Sequence, residues 1–372
     1  MGVDDGHPPL LESWYRELLE AASFDISSSG VQPYTFAEVR ERLGLAQSEL
    51  DAVVLQDSVS FGAPSLRQAI ANRYAGGRIE RVMATHGSSE AIALVLSVLL
   101  EPGDRVVLCG PIYHSFESFA ALRRCRVVNL PAALLGDDAQ FACAVDEHVI
   151  SGTKAVIVNI PHNPTGGTIA GETFQHLAER VSAVGSVLVW DAALAELPMN
   201  GASAPAHISL QDNVITIGTL SKAFGMPGLR VGWYIATPDL LARTLEIRDR
   251  TTLFLSPLIE MIAAGVITHA EAFIEPRLRQ ACGNLAYVDS WIRQHADRLM
   301  WRRPCGGVCG LVEVLGVPQT EPFCRALLAA TGVLLVPGAA FSAPGAVRLG
   351  YGGSAAELRE GLNRLSEFLR HN

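Results

Sequence analysis

The chain has 372 residues, a net charge of -9 at pH 7 and 18% charged residues. That length passes the roughly 250–300 residues at which a single core stops growing, so two lobes are expected. The acidic balance and the lack of a basic cluster argue against nucleic acid as the main partner, and no apolar run nears the ~20 residues of a membrane-spanning helix.

The N-terminal MGVDDGHPPLLESWY lacks the basic start and apolar core of a secretory leader. The seven cysteines are odd in number and scattered, which does not suit a disulfide framework. A cytoplasmic protein with free thiols is therefore expected. Cys305 and Cys309 form the one close pair, and no second Cys/His pair stands at metal spacing, so no metal site is expected.

Residues 1–45 hold a helix, LLESWYREL, and a polar turn, DISSSGV. They are expected to pack with a small domain completed by residues 256–372. Residues 46–255 read as the large domain. There RVMAT (81–85) leads through a turn into the buried helix IALVLSVLL (92–100), which stops at Glu101-Pro102-Gly103-Asp104. Apolar runs at 104–110, 154–160, 186–192, 214–220 and 230–236 look like buried strands. Between two of them ETFQHLAERVSAVG has helical periodicity and ends in Gly185. Such alternation predicts an α/β fold with a mostly parallel sheet covered on both faces. After residue 255 the pattern changes to long helices over 257–299, short strands near 310–314, 333–336 and 347–349, and a last helix over 355–369. That is a smaller α+β lobe.

In parallel sheets ligands sit at the carboxyl ends of the strands, so the residues after each strand carry the interest. Thr85-His-Gly-Ser-Ser-Glu-Ala91 puts Ser88 and Ser89 where a strand becomes a helix. Such a turn is either an anion site made by free N–H groups or an ordinary helix cap. Tyr113, in GPIYHSF, is placed to stack on a flat ring or to pack in the core. Asn163, in NIPHNPTGG, offers an amide, or simply a turn before proline. Asp191 ends an apolar strand, where a carboxylate is costly unless paired; a cationic ring nitrogen would pair it. Lys222 follows the strand VITIGTL. A desolvated lysine there is a nucleophile toward aldehydes, and a lysine whose head reaches water is the ordinary alternative. Thr219 and Ser221 offer hydroxyls and Arg230 a cation to a phosphate. Arg348 is a candidate fork for a carboxylate.

In this order and of these types, the residues resemble the class I/II aminotransferase family, the fold-type I pyridoxal-phosphate enzymes. The resemblance covers nearly the whole chain and is most distinctive in HNPTGG (162–167) and SKAFGMPGLRVGW (221–233). It implies the fold-type I transferase architecture, pyridoxal 5'-phosphate as cofactor, a small amino acid as substrate and a homodimer with sites at the subunit boundary. It implies that Lys222 binds the cofactor's aldehyde and shuttles protons, and that Asp191 pairs the pyridine nitrogen. Asn163 would hold the phenolate oxygen and Tyr113 stack on the ring. Ser88, Ser89, Thr219, Ser221 and Arg230 would hold the phosphate. Arg348 would take the substrate α-carboxylate, helped by the backbone near Ser29 and Gly30.

Two positions depart from the family pattern. A tyrosine usually lies three residues after the aspartate, and here that residue is Leu194. A second tyrosine usually precedes the glycine of LQDSVSFGAPSLRQAIA by five residues, and here Asp57 stands there. Asp57 is either a solvent-facing loop residue or a carboxylate for a cationic substrate group. The segments FDISSSGVQPYTFAEVRERLG (24–44) and LGLAQSELDAVVLQDS (43–58) resemble the capreomycidine synthase group. Those enzymes keep the aminotransferase scaffold but close a cyclic guanidine from a β-hydroxylated arginine, giving products such as capreomycidine or streptolidine in antibiotic biosynthesis. The resemblance implies a cyclase in which Asp25, Asp57 or Glu196 receives the guanidinium. A conventional transaminase or β-lyase is the competing expectation. A cofactor-sensing regulator is disfavoured, because no basic helix-turn-helix precedes the large domain.

Overall fold

A computed structural model of the chain describes residues 10–199, 208 and 210–371. The first strand, β1 (Phe24–Asp25), belongs to the smaller part of the molecule. Seven strands then build the main sheet: β2 (Val82–His86), β3 (Arg105–Gly110), β4 (Arg126–Pro131), β5 (Thr153–Asn159), β6 (Val187–Asp191), β7 (Val214–Thr219) and β8 (Val231–Ile235). Their order is β2-β8-β7-β6-β5-β3-β4. β8 alone runs against the others, pairing antiparallel with both β2 and β7.

The sequences explain the layering. Every residue of β7, VITIGT, is buried, as expected of a strand covered on both faces. One cover includes helix Gly87–Leu99, whose Ile92, Val95 and Leu96 pack with Val106, Ile157 and Ile217. The other includes helix Gly171–Ala183, whose Phe174, Leu177 and Val181 pack with Val156, Leu188 and Val214. The carboxyl ends of β2, β3, β5, β6 and β7 then lie along one edge. Because β8 is reversed, its first residues join the same edge, and Arg230 arrives beside Gly87.

The remaining strands are β9 (Leu299–Trp301), β10 (Cys309–Val314), β11 (Val333–Leu334), β12 (Val336–Pro337) and β13 (Ala346–Gly350). Four of them form an antiparallel sheet, β12-β13-β10-β9. β1 pairs parallel with β11, so the N-terminal segment is stitched to this part of the molecule. Helix Leu10–Leu18 is held there by buried Trp14, whose Nε1 donates to the Leu335 carbonyl at 3.0 Å. Helices Pro257–Thr268 and Ala270–Gln294 meet at a 69° bend, and no single described helix is long and apolar enough to cross a membrane. All seven cysteines are free.

Candidate active site

A cavity of about 340 Å³ lies at the carboxyl edge of the main sheet. Its phosphate-sized corner depends on two glycines. Gly87 opens its helix at φ +71°, and a Cβ there would stand 2.7 Å from Arg230 Nη2. A Cβ on Gly232 would stand 2.4 Å from the Gly87 carbonyl carbon. The missing side chains let β8 lie against the helix start and bring the guanidinium over it. Ser88, Ser89, Ser221 and Arg230 all line this corner. Free helix N–H groups, hydroxyls and a cation together suit a dianion. Thr219 does not line the cavity. It stands behind Ser221, its Oγ1 accepting from the Ser221 N–H at 3.1 Å and lying 3.0 Å from Ser221 Oγ.

Asp191 ends β6 and is buried, and its Oδ1 accepts the Ala193 N–H at 3.0 Å. Burial pushes its pKa up to about 6, against the pull of that N–H and of Lys222. Lys222 follows β7, and its Nζ donates to Ser29 Oγ at 2.9 Å. Burial, then the Arg348 cation, brings its pKa down to about 8, while Cys309, Asp191 and Glu12 act in the opposite sense. This pair is a half-buried cation and a buried carboxylate, each with its charged form disfavoured, a pattern common at functional sites.

Asn163 is fixed from two sides. Its N–H donates to Asn159 Oδ1 at 2.7 Å, and Asn159 Nδ2 donates to the Asp191 carbonyl at 3.1 Å. Its Oδ1 accepts from Arg348 Nη1 at 3.2 Å and lies 3.6 Å from Cys309 Sγ. Asn163 also lines the cavity. His162 beside it is buried and kept neutral, its pKa pushed down to about 4 by burial.

Arg348 is buried, and each of its nitrogens makes one bond, which leaves a second N–H on Nη1 and on Nη2. Nε donates to the Ser27 carbonyl at 2.9 Å and Nη2 to Tyr15 OH at 2.7 Å. Tyr15 OH lies 2.9 Å from Ser27 Oγ, which donates to Asp25 Oδ1 at 2.6 Å. Gly30 passes close to the lysine loop, since a Cβ there would lie 3.6 Å from the Ser221 carbonyl oxygen. Tyr113 lines the cavity after β3, and its OH reaches Glu12 Oε1 at 3.5 Å. Leu194 lines it as well, buried against Gly307 where the family usually has tyrosine.

The structure thus brings Ser29, Ser88, Ser89, Tyr113, Asn163, Asp191, Ser221, Lys222, Arg230 and Arg348 to one cavity. It adds Glu12, Tyr15 and Asn159, which sequence reasoning did not select. Glu12 and Tyr15 stand three apart in LLESWYREL, on one helix face, and that spacing was the available signal. Two candidate carboxylates fall elsewhere. Asp57 is exposed and does not line the cavity. Its segment is drawn aside by buried Glu260, which accepts from the Ala63 N–H at 2.6 Å and from Ser58 Oγ. Glu196 lines a separate cavity of about 300 Å³, where Arg73 Nε at 2.8 Å and Tyr74 OH at 2.7 Å hold it. Asp25 does line the main cavity.

The sequence model of the family Aminotransferase class I and II matches residues 40–365. Capreomycidine synthase from Streptomyces vinaceus is 39% identical over 96% of this chain and 93% of its own length. Arginine–pyruvate transaminase AruH from Pseudomonas aeruginosa is 31% identical over 82% of this chain and 80% of its own. The crystal structure of the PLP-dependent cyclase OrfR superposes with a TM-score of 0.94 at 47% identity, covering 98% of this chain and 97% of that one.

Proposed function

The chain belongs to the class I and II aminotransferase family, and from that premise we propose that it is a cyclase which removes water from a β-hydroxylated arginine and closes the guanidino group onto Cβ. The product would be a cyclic guanidino amino acid of the capreomycidine or streptolidine type, made in antibiotic biosynthesis. The observation that carries the reading is the gradient of likeness, which is steeper toward the two cyclases than toward the arginine transaminase. Leu194, where the family usually has tyrosine, is consistent with it.

The cavity fits pyridoxal phosphate on its own evidence of shape: Gly87 and Gly232 are spaces that a Cβ would fill, and half-buried Lys222 and buried Asp191 are opposite charges in it. Ser88, Ser89, Ser221 and Arg230 would hold the phosphate, Asp191 the ring nitrogen, Asn163 the phenolate oxygen and Lys222 the aldehyde carbon. Bound there, the cofactor supplies an electron sink that stabilises negative charge at the substrate Cα.

Arg348 takes the α-carboxylate, its orientation fixed by Ser27, Asn163 and Tyr15. Lys222 removes the α-proton and later returns it to Cα. With the α-proton gone the β-hydroxyl leaves Cβ, taking up a proton to depart as water. A guanidinium nitrogen then bonds to Cβ and gives up one proton, so the balance is one water lost and no amino-group acceptor is consumed. The protein's part is to hold the side chain folded so that the guanidine lies near Cβ.

The test is a mass-resolved product assay on cofactor-loaded protein with 3-hydroxyarginine, with and without 2-oxoglutarate. The expected product is lighter by one water, keeps its α-amino group and forms without the oxo acid. A 2-oxo acid that appears only with the acceptor would make the chain a transaminase.

A further inference from the structure

We propose that Glu12 is the carboxylate that receives the substrate's guanidinium, so that one helix, Leu10–Leu18, reads both ends of the amino acid. The identity of the cation rests on the cyclase reading. The assignment of Glu12 rests on how the cavity's charges are already spent.

Among the described residues three carboxylates line the cavity: Glu12, Asp25 and Asp191. Asp191 is buried at the sheet edge near Lys222 and is the residue that would pair the ring nitrogen. Asp25 is committed through Oδ1, which accepts both the Ser27 N–H at 2.9 Å and Ser27 Oγ at 2.6 Å. Ser27 in turn holds Arg348 through its carbonyl and Tyr15 through its hydroxyl. Asp25 therefore serves the α-carboxylate clamp.

Glu12 has no such commitment. Its contacts are Tyr113 OH at 3.5 Å and His114 Nε2 at 4.0 Å. Burial lowers the His114 pKa, so at neutral pH that ring offers no charge. No described lysine or arginine pairs with Glu12. Its side chain is 45% exposed at the cavity wall, open to a ligand and hydrated until one arrives. It is also near enough to Lys222 to act on that amine's charge.

A guanidinium matches this setting. Its planar fork pairs two N–H donors with one carboxylate. The other end of the substrate is governed by the same helix, because Tyr15 bonds Arg348 Nη2 at 2.7 Å. Glu12 and Tyr15 are one helical turn apart on one face.

The experiment uses full-length, cofactor-loaded protein and calorimetric titration with L-arginine and with L-citrulline, its neutral isostere. Neither has a β-hydroxyl to lose. Wild type should prefer arginine, and Glu12→Gln should weaken arginine binding by about 10–100-fold, the scale of a charge-assisted hydrogen-bond pair, while leaving citrulline binding unchanged. With 3-hydroxyarginine the same variant should raise KM far more than it lowers kcat. Asp25→Asn, by contrast, should weaken arginine and citrulline alike, through the clamp. A preference for arginine that survives in Glu12→Gln, an equal loss for both ligands, or a selective loss of arginine in Asp25→Asn instead would each overturn the assignment. The two readings fail separately. A wild type that makes no cyclic product but loses its arginine preference in Glu12→Gln sinks the cyclase and keeps Glu12 as the guanidinium site.

Discussion

Lys222 is made reactive by where it is kept. An ordinary lysine near pKa 10.5 is neutral in only about one molecule in 3,000 at pH 7, whereas one near pKa 8 is neutral in about one in ten. Burial and the Arg348 cation produce that change. Only the neutral amine attacks an aldehyde, and lowering the pKa enlarges the neutral fraction at every pH below it. The rate at which apoprotein takes up pyridoxal phosphate should therefore climb roughly tenfold per pH unit up to about pH 8 and level off above it. Stopped-flow absorbance across pH 6–10 would check this, and a rate still climbing at pH 10 would contradict it. Lys222→Ala should abolish both the visible absorbance of the lysine-bound cofactor and all turnover. A verified Lys222→Ala preparation with wild-type activity would remove the lysine from the chemistry.

At the scale of elements, the same helix that carries Glu12 and Tyr15 is anchored by Trp14. The ring is 1% exposed, donates to the Leu335 carbonyl at 3.0 Å and lies under the Arg325 guanidinium, 4.8 Å from its centroid. Trp14→Ala should cost about 3–5 kcal/mol as a large core truncation, lowering the melting temperature. It should also weaken arginine binding, because Tyr15 no longer steadies Arg348, while pyridoxal phosphate binding by equilibrium dialysis stays near wild type. Cofactor loss in step with arginine loss would show that the helix supports the whole cavity and not the substrate end alone. The helix was legible in LLESWYREL, but a helical pattern does not say what covers each face. The strand-end residues were more readable, because an α/β sheet gathers the ends of its parallel strands on one edge whatever the loops do. That rule singled out Asp191, Lys222 and Asn163, and the family resemblance supplied the roles expected of them. Asp57 does not line the cavity of its own chain. Glu260, some two hundred positions later, draws its segment aside through Ser58 and Ala63, and a partner so distant leaves no local trace. Glu196 was likewise a carboxylate near the right strand whose charge Arg73 had already claimed.

At the scale of the molecule, the same segment poses the question of assembly. Val54 is 66% exposed, Leu55 78% and Val59 51%, and Leu253 joins them at 45%. Buried Arg248 links the end of the first segment to Leu253: its Nη1 donates to the Ser60 carbonyl and its own carbonyl accepts the Leu253 N–H at 3.1 Å. Apolar side chains gathered in this way on a surface call for a cover, and a two-fold axis would supply one by burying the patch against its own copy. The protein should therefore sediment at twice the mass of the chain. Leu55→Asp places a charge where the copies would meet and should shift the species to the monomer, since an unpaired charge in a dry contact is costly. The readout is sedimentation velocity at several concentrations, followed by a cofactor titration of each species. Asp57 sits two residues from Leu55, so its meaning turns on the same result. In a dimer that breaks with Leu55→Asp and loses cofactor affinity as it does, this segment serves the partner's cavity, and Asp57→Asn becomes a test of substrate charge. A wild type that is monomeric and fully active leaves Asp57 as a carboxylate in water, and Glu12 then carries the guanidinium alone.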